Sequence, residues 1–150
     1  MPRRVTHERA ECPVARAVDV IGDRWSLLII RDAFDGISRF SEFRRNLGLA
    51  KNILAARLRE LVAQGILEVV PAADGTAYHE YTLTSKGRDL FTILVGLRQW
   101  GEDYLFDEAE PHSALLDVKS ERPLGRLQVT DSEGHAVTPP ETFVRKVARP

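Results

Sequence analysis

The sequence predicts an α+β fold, mainly α: a winged helix-turn-helix with a long C-terminal dimerisation helix and a small β-rich C-terminal appendage. Three observations carry this expectation. Apolar residues recur at helical spacing in five segments, each closed by a glycine or another stop signal. Two alternating runs, "ILEVV" and "HEYTL", flank Asp74-Gly75 and read as a hairpin with an extended tip. The resulting order is helix, helix, short strand, helix, turn, helix, hairpin, helix.

The first helix is expected over Pro13 to Ile21, where Val14, Ala17, Val18 and Ile21 mark one apolar face. Pro13 suits the first helical position, because its missing N–H costs nothing there. Gly22 ends this helix, and Asp23 is a natural N-cap for the next, from Arg24 to Phe34. Trp25, Leu27, Leu28, Ile29 and Ile30 make that second helix apolar nearly all round, so it belongs at the centre of the core. Asp35-Gly36 is a turn, and "ISRF" is a candidate short strand. Ser41 then caps a third helix, Glu42 to Leu47, with Glu42 in the first turn where the helix dipole favours it. Gly48 supplies the bend before a fourth helix, Lys51 to Gln64, stopped by Gly65. After the hairpin, Thr84 opens the last long helix. There Leu90, Leu94, Leu97 and Trp100 form one stripe, flanked by Phe91, Val95 and Tyr104. That face is wider than one small core needs and implies a second copy of the chain as partner.

Composition shifts after Phe106. "DEAEPHSA" marks a boundary, and "LGRLQVTDSEGHAVTPPETFVRKV" reads as one hairpin around Asp131 to Gly134 and a last strand near Phe143 to Val147. The expected organisation is an N-terminal arm (1–11), a winged helix-turn-helix domain (12–106) and a β-rich extension (107–150). The extension reads as packing or dimer-supporting; a ligand pocket between tail and core is the sharper alternative.

The bulk properties set limits. The chain has 150 residues, 43% hydrophobic and 29% charged, with a net charge of -1. A soluble globular protein fits, and a polycation that coats nucleic acid indiscriminately does not. The single cysteine excludes an internal disulfide and suits the cytoplasm. "MPRRVTHERAEC" lacks the apolar centre of a signal peptide, and the longest apolar run, "LLII", is too short to span a bilayer, so no membrane partner is expected.

The chemistry concentrates in "RFSEFRRNLGLAKNILAARLRELVAQGILEVV". On its longer helix Ile53, Leu54, Leu58, Leu61 and Val62 are expected to face the core. The opposite face gathers Lys51, Asn52, Ala55, Ala56 and Arg59, with Arg57 at its flank. Alanines let a helix approach base edges, and Asn and Arg pair with adenine and guanine edges in the major groove. Between residues 39 and 59 six cations (Arg39, Arg44, Arg45, Lys51, Arg57, Arg59) face one carboxylate, Glu42, a local charge of +5. Such a cluster attracts phosphates. Solvated basic faces and protein-binding helix-turn-helix modules share these features, so pattern and charge leave both readings open.

Three stretches, "CPVARAVDVIGDRWSLLIIRD", "RFSEFRRNLGLAKNILAARLRELVAQGIL" and "YTLTSKGRDLFTILVGLRQWGEDY", resemble the HxlR-type transcriptional regulators, relatives of the MarR regulators. The resemblance covers roughly residues 10 to 106, in order and with similar gaps. It implies a homodimer that binds double-stranded operator DNA, built from the N-terminal helix (Val14, Val18) and the long C-terminal helix (Leu94, Leu97, Trp100, Tyr104). It implies base-reading positions at Lys51, Asn52, Ala55 and Ala56, with Ser41, Arg44, Arg45, Arg57 and Arg59 as phosphate contacts or helix anchors. Arg57 and Arg59 have a second reading, bracing the fold through Glu60 or Glu42. One departure stands out: no Lys or Arg lies between Arg59 and Lys86, so the wing "VPAADGTAYHEY" offers little charge to DNA.

An enzyme would need Cys12 as nucleophile with His7 or His79 as base, and no third group orients either. His7, His79, His112 and His135 lack metal-site spacing, and no glycine-rich phosphate loop occurs, so no cofactor or metal is expected. Cys12 stands at or just before the N-cap of the first helix, with Arg9 and Arg16 close in sequence. It is a candidate sensor for oxidants or small electrophiles, as the resemblance implies, or a half-buried capping residue near the dimer interface.

Overall fold

The computed structural model describes residues 5–148. They form α1 (Pro13–Ile21), α2 (Ser26–Phe34), α3 (Phe40–Leu47), α4 (Lys51–Ala63), β1 (Leu67–Pro71), β2 (His79–Leu83), α5 (Ser85–Arg88) and α6 (Phe91–Tyr104), followed by a 3-10 turn at Pro139–Glu141. The chain divides into two compact units, Met1–Phe91 and Thr92–Pro150, so that α6 groups with the tail. No helix among the described residues is long and apolar enough to cross a membrane.

The first unit holds the mainly helical winged fold. Ile29 and Ile30 of α2, Phe43 of α3, Leu54, Leu58 and Leu61 of α4 and Leu67 of β1 are fully buried apolar side chains of its core. Each such side chain removed from water contributes about 1.5–3 kcal/mol. β1 and β2 pair antiparallel in the register Leu67↔Leu83 through Pro71↔His79, forming the two-stranded wing.

Asp32 of α2 is a buried exception, 1% exposed. Its Oδ1 accepts from Arg31 Nε (3.0 Å) and Nη2 (2.8 Å), and its Oδ2 accepts from Asn46 Nδ2 at 2.7 Å. A buried carboxylate is tolerated only when paired and hydrogen-bonded, and here the pairing ties α2 to the last turn of α3.

Several local expectations are corrected. α2 begins at Ser26 rather than Arg24, because Asp23 Oδ2 accepts the amides of both Trp25 (3.1 Å) and Ser26 (3.0 Å) and holds the chain out of the helix until Ser26. Ser41 is not a cap; α3 starts one residue before it, at Phe40, after an extended Arg39. "ISRF" forms no strand: the Tyr81 amide donates to the Ser38 carbonyl at 2.7 Å, and no ladder develops before α3 starts. Ile53 is 43% exposed instead of buried, because Leu54, Leu58 and Leu61 already fill the inner face of α4.

The last long helix is broken. Thr84 caps a single turn, accepting the Gly87 amide at 3.0 Å while its hydroxyl donates to the Gly65 carbonyl at 2.5 Å. Gly87 passes so close to the Ile66 carbonyl that a Cβ there would stand 2.2 Å from that oxygen. This seats α5 against the start of the wing, and Asp89-Leu90 turn the chain before α6 sets off from Phe91.

In the second unit α6 straps the tail by its backbone. The buried Gln99 donates from Nε2 to the Gly125 carbonyl (3.0 Å) and accepts the Leu127 amide at Oε1 (2.8 Å). Arg98 Nη1 reaches both the carbonyl and the hydroxyl of Ser113 at 3.0 Å. Among the tail's described residues, β character is limited to two antiparallel bridges, Leu116↔Pro123 and Thr130↔Ala136. The expected last strand over Phe143 to Val147 does not form; that stretch has no regular structure, and no strand runs beside it.

Candidate nucleic-acid interface

α3, the turn at Gly48 and α4 present one continuous polar face. Gly48 adopts φ +65, a left-handed conformation that favours glycine, and its amide donates to the Arg44 carbonyl at 2.9 Å to close α3. The next residue, Leu49, turns inward and is buried, which pins the turn against the core. Ser41, Arg44, Arg45, Lys51, Asn52 and Arg59 are exposed, while Ala55, Ala56 and Arg57 are half-buried. Phe40, Ser41, Arg44, Arg45, Gly48, Leu49 and Lys51 line a shallow, open concavity between the two helices.

The cations of this face divide into two groups. Arg57 Nη1 lies 3.7 Å from Asp23 Oδ1, so its partner is the acidic cap of α2 and not Glu60 or Glu42. Burial pushes the Asp23 carboxyl up. The Ser26 hydroxyl, the Ser26 and Trp25 amides and Arg57 outweigh burial and hold it below the usual carboxylate value of 3.8. Arg39 leaves the start of α3 for the wing. It pairs with Asp74, lies 3.7 Å from Glu80 Oε1, and sits 5.6 Å from the centre of the Tyr78 ring. The Thr76 amide and hydroxyl, with Arg39, lower the Asp74 carboxyl to about 2. By contrast, no ion pair among the described residues engages Arg44, Arg45, Lys51 or Arg59. Of the six cations counted along the sequence, four therefore have no ion pair among the described residues and can meet phosphate.

Sequence reasoning missed one feature of this face. The N-cap of α4 is Ala50 (φ -61, ψ 142), and no side chain caps that helix. Its first-turn amides, beside Lys51, are open to an anion. The signal was legible: alanine occupies a position where Ser, Thr, Asp or Asn normally supplies the cap. The role of Arg39 was not legible in the sequence either, because its partners on the wing are distant along the chain.

The wing remains poor in free charge. Arg39 is the cation brought to it, and Asp74 and Glu80 neutralise that charge.

The expected dimerisation residues are exposed or half-buried, each in its own unit. On α1 Val14 and Val18 are exposed; on α6 Leu97, Trp100 and Tyr104 are exposed and Leu94 is half-buried. The Trp100 and Tyr104 rings pack 5.6 Å apart. Cys12 is the N-cap of α1, as expected, but it is exposed rather than half-buried and its side chain makes no capping hydrogen bond. Arg16 Nε donates to the Ala10 carbonyl at 2.6 Å, and the arm is held further by Thr6 Oγ1 and the His7 amide, which donate to Asp19 Oδ2 at 2.9 and 2.6 Å. His7 is thus occupied at its backbone. No group of three or more His, Cys, Asp or Glu among the described residues is placed to hold a metal ion. The cavity between α6 and the tail, lined by Val95, Gln99, His112 and Leu115 among others, measures about 80 Å³. Ligand pockets run to several hundred Å³, so it has room for a few water molecules.

The HxlR-like helix-turn-helix family matches residues 20–109. An HTH-type transcriptional regulator of Mycobacterium tuberculosis is 49% identical over 92 residues, 61% of this chain; the match spans 58% of that relative's length. The crystal structure of PA1607, described as a candidate transcription factor, superposes with a TM-score of 0.90 at 53% identity, covering 95% of this chain and all of that one. The redox regulator HypR in its oxidised form superposes with a TM-score of 0.56 at 38% identity, covering 61% of this chain and 96% of HypR. The relatives are named as regulators, not as enzymes.

Proposed function

The chain belongs to the HxlR-like helix-turn-helix family, and from that premise we propose that it is a cytoplasmic transcriptional regulator that binds operator DNA as a homodimer. The single observation that carries the reading is the exposed start of α4. Lys51 and Asn52 project beside an uncapped helix N-terminus, Ala55 and Ala56 keep the flank low, and Arg44, Arg45, Lys51 and Arg59 on α3 and α4 have no carboxylate partner among the described residues. Asn52 suits an adenine edge in the major groove, and Arg44, Arg45, Lys51 and Arg59 suit phosphates. Arg57 acts as a brace through Asp23.

A dimer formed by the exposed faces of α1 and α6 is two-fold symmetric. It presents its α4 helices to a pseudo-palindromic operator with half-sites about one helical turn, ~34 Å, apart. Repression follows from occupancy alone, since a dimer on a promoter excludes polymerase. Electrophoretic mobility shift with the region upstream of its own gene tests the reading. Binding is expected to weaken steeply as salt rises. Binding indifferent to salt, or a footprint on one asymmetric half-site, contradicts it and favours a protein-binding module.

The exposed Cys12 supports redox or electrophile control of that binding, and the likeness to HypR points the same way. With one cysteine per chain, the switch is an intersubunit disulfide, a mixed disulfide or a covalent adduct. Cys12→Ser is then expected to bind DNA normally and to lose release by diamide or a quinone. A serine variant that responds like the wild type makes Cys12 structural.

A further inference from the structure

The second unit is ordered without a core of its own. Among its described residues Val95 and Gln99 alone are buried. Its tail nevertheless carries Val118 (93% exposed), Val129 (70%), Phe143 (79%) and Val144 (77%) in water. The backbone around them is tied at several points: Gln99 fixes Gly125 and Leu127, Arg98 fixes Ser113, the Val137 amide donates to the Val129 carbonyl at 3.0 Å, and the Thr142 amide, just before Phe143, donates to the Pro139 carbonyl at 3.0 Å. Such a segment presents a preformed apolar surface, unlike a solvated linker.

The surface of the whole chain shows how much it leaves in water, the tail included. A compact 16.9 kDa protein exposes about 7,700 Å². Even two separate compact bodies with the sizes of these units would together expose about 9,200 Å². The chain exposes 11984 Å². The excess over separate bodies, about 2,800 Å² by that scaling, exceeds the roughly 800 Å² per partner of a standard interface. Counted on both partners it is about 5,600 Å², at the upper end of the large interfaces of obligate dimers. DNA is a poor candidate to cover it: residues 107–150 carry eight Asp or Glu against six Lys or Arg, a net charge of -2 that repels phosphate.

We propose that the tail docks on a second copy of this chain, with Val118, Val129, Phe143 and Val144 buried against the partner subunit. The dimer interface is then extended beyond α1 and α6, and each tail is a strap between subunits. This rests on the dimer reading above.

The test uses the full-length protein and sedimentation over a concentration series. Val129→Asp combined with Phe143→Asp is expected to raise the dimer dissociation constant at least about 100-fold. The protomer's helical circular dichroism should persist, because both side chains are exposed within it. In parallel, a photo-crosslinking benzoylphenylalanine in place of Phe143 is expected to yield a covalent dimer on irradiation, and the same probe in place of Arg45 is not. A wild-type protein that is dimeric, with an unchanged dissociation constant in the double variant and no crosslinked dimer from position 143, overturns the strap and leaves the α1 and α6 interface standing. A wild-type protein that is monomeric at micromolar concentration overturns the dimer reading itself.

Discussion

Replacing Arg44 by alanine should flatten the salt dependence of operator binding, and replacing Arg57 should not. The two arginines lie within one basic cluster of the sequence, but the fold gives them different partners. Arg44 is exposed with no ion pair among the described residues, whereas Arg57 faces Asp23 at 3.7 Å. Four free cations per protomer (Arg44, Arg45, Lys51, Arg59) give up to eight phosphate contacts per dimer and a slope of log K against log salt of about -7. Arg44→Ala removes one contact per protomer and brings the slope to about -5.4. If the ionic contribution vanishes near 1 M salt, the same loss weakens binding about 30-fold at 0.15 M. Arg57→Ala should leave the slope within about 0.5 of wild type, while the lost half-buried pair costs at most about 1 kcal/mol of stability. Fluorescence anisotropy with one labelled operator, titrated at five or six salt concentrations, measures both slopes. Equal flattening by the two variants, or none by Arg44→Ala, would refute the division of the cations.

Two further predictions concern the frame that carries this face. Asp32→Ala leaves Asn46 and Arg31 without their shared acceptor and should cost about 2–3 kcal/mol, seen as a melting temperature lower by roughly 4–10 °C; a variant that melts within 1 °C of wild type would remove this pin from the account. The Asp23 carboxyl is lowered in the folded state, so its contribution is fully present above the unfolded value near 3.8 and is lost as pH falls through the folded one. Chemical denaturation of wild type and Asp23→Asn should therefore differ most above about pH 5 and converge toward pH 3, and a gap that widens on acidification would reverse the sign of the argument.

The parts of the fold readable from sequence are those fixed by local chemistry. Pro13 and Gly22 bracket α1, Gly48 makes the left-handed stop between α3 and α4, and Gly65 (φ +72) closes α4. The basic face of α4 was legible for the same reason, because helical spacing alone puts Lys51, Asn52, Ala55 and Ala56 side by side. What was not legible depends on contacts between distant residues. The sequence alone offers Arg39 no partner and Arg57 only Glu60 or Glu42; the fold places Asp74 and Asp23 beside them. No glycine or proline stands at Asp89-Leu90, so the break there follows from Gly87 seating against Ile66, which no local pattern records. In the tail, alternation around Phe143 suggested a strand, but a strand needs a neighbour to bond with, and the protomer supplies none there.

The central claim is that the exposed start of α4 reads base edges while the surrounding cations only position it. Selection from a randomised DNA library by wild type and by Asn52→Ala tests it directly. Wild type should enrich an inverted repeat with half-sites about one turn apart. Asn52→Ala should retain that spacing and the salt slope, but lose about tenfold preference or more at one base pair in each half-site. Identical base preferences for the two proteins, or no repeat in either, would contradict the account.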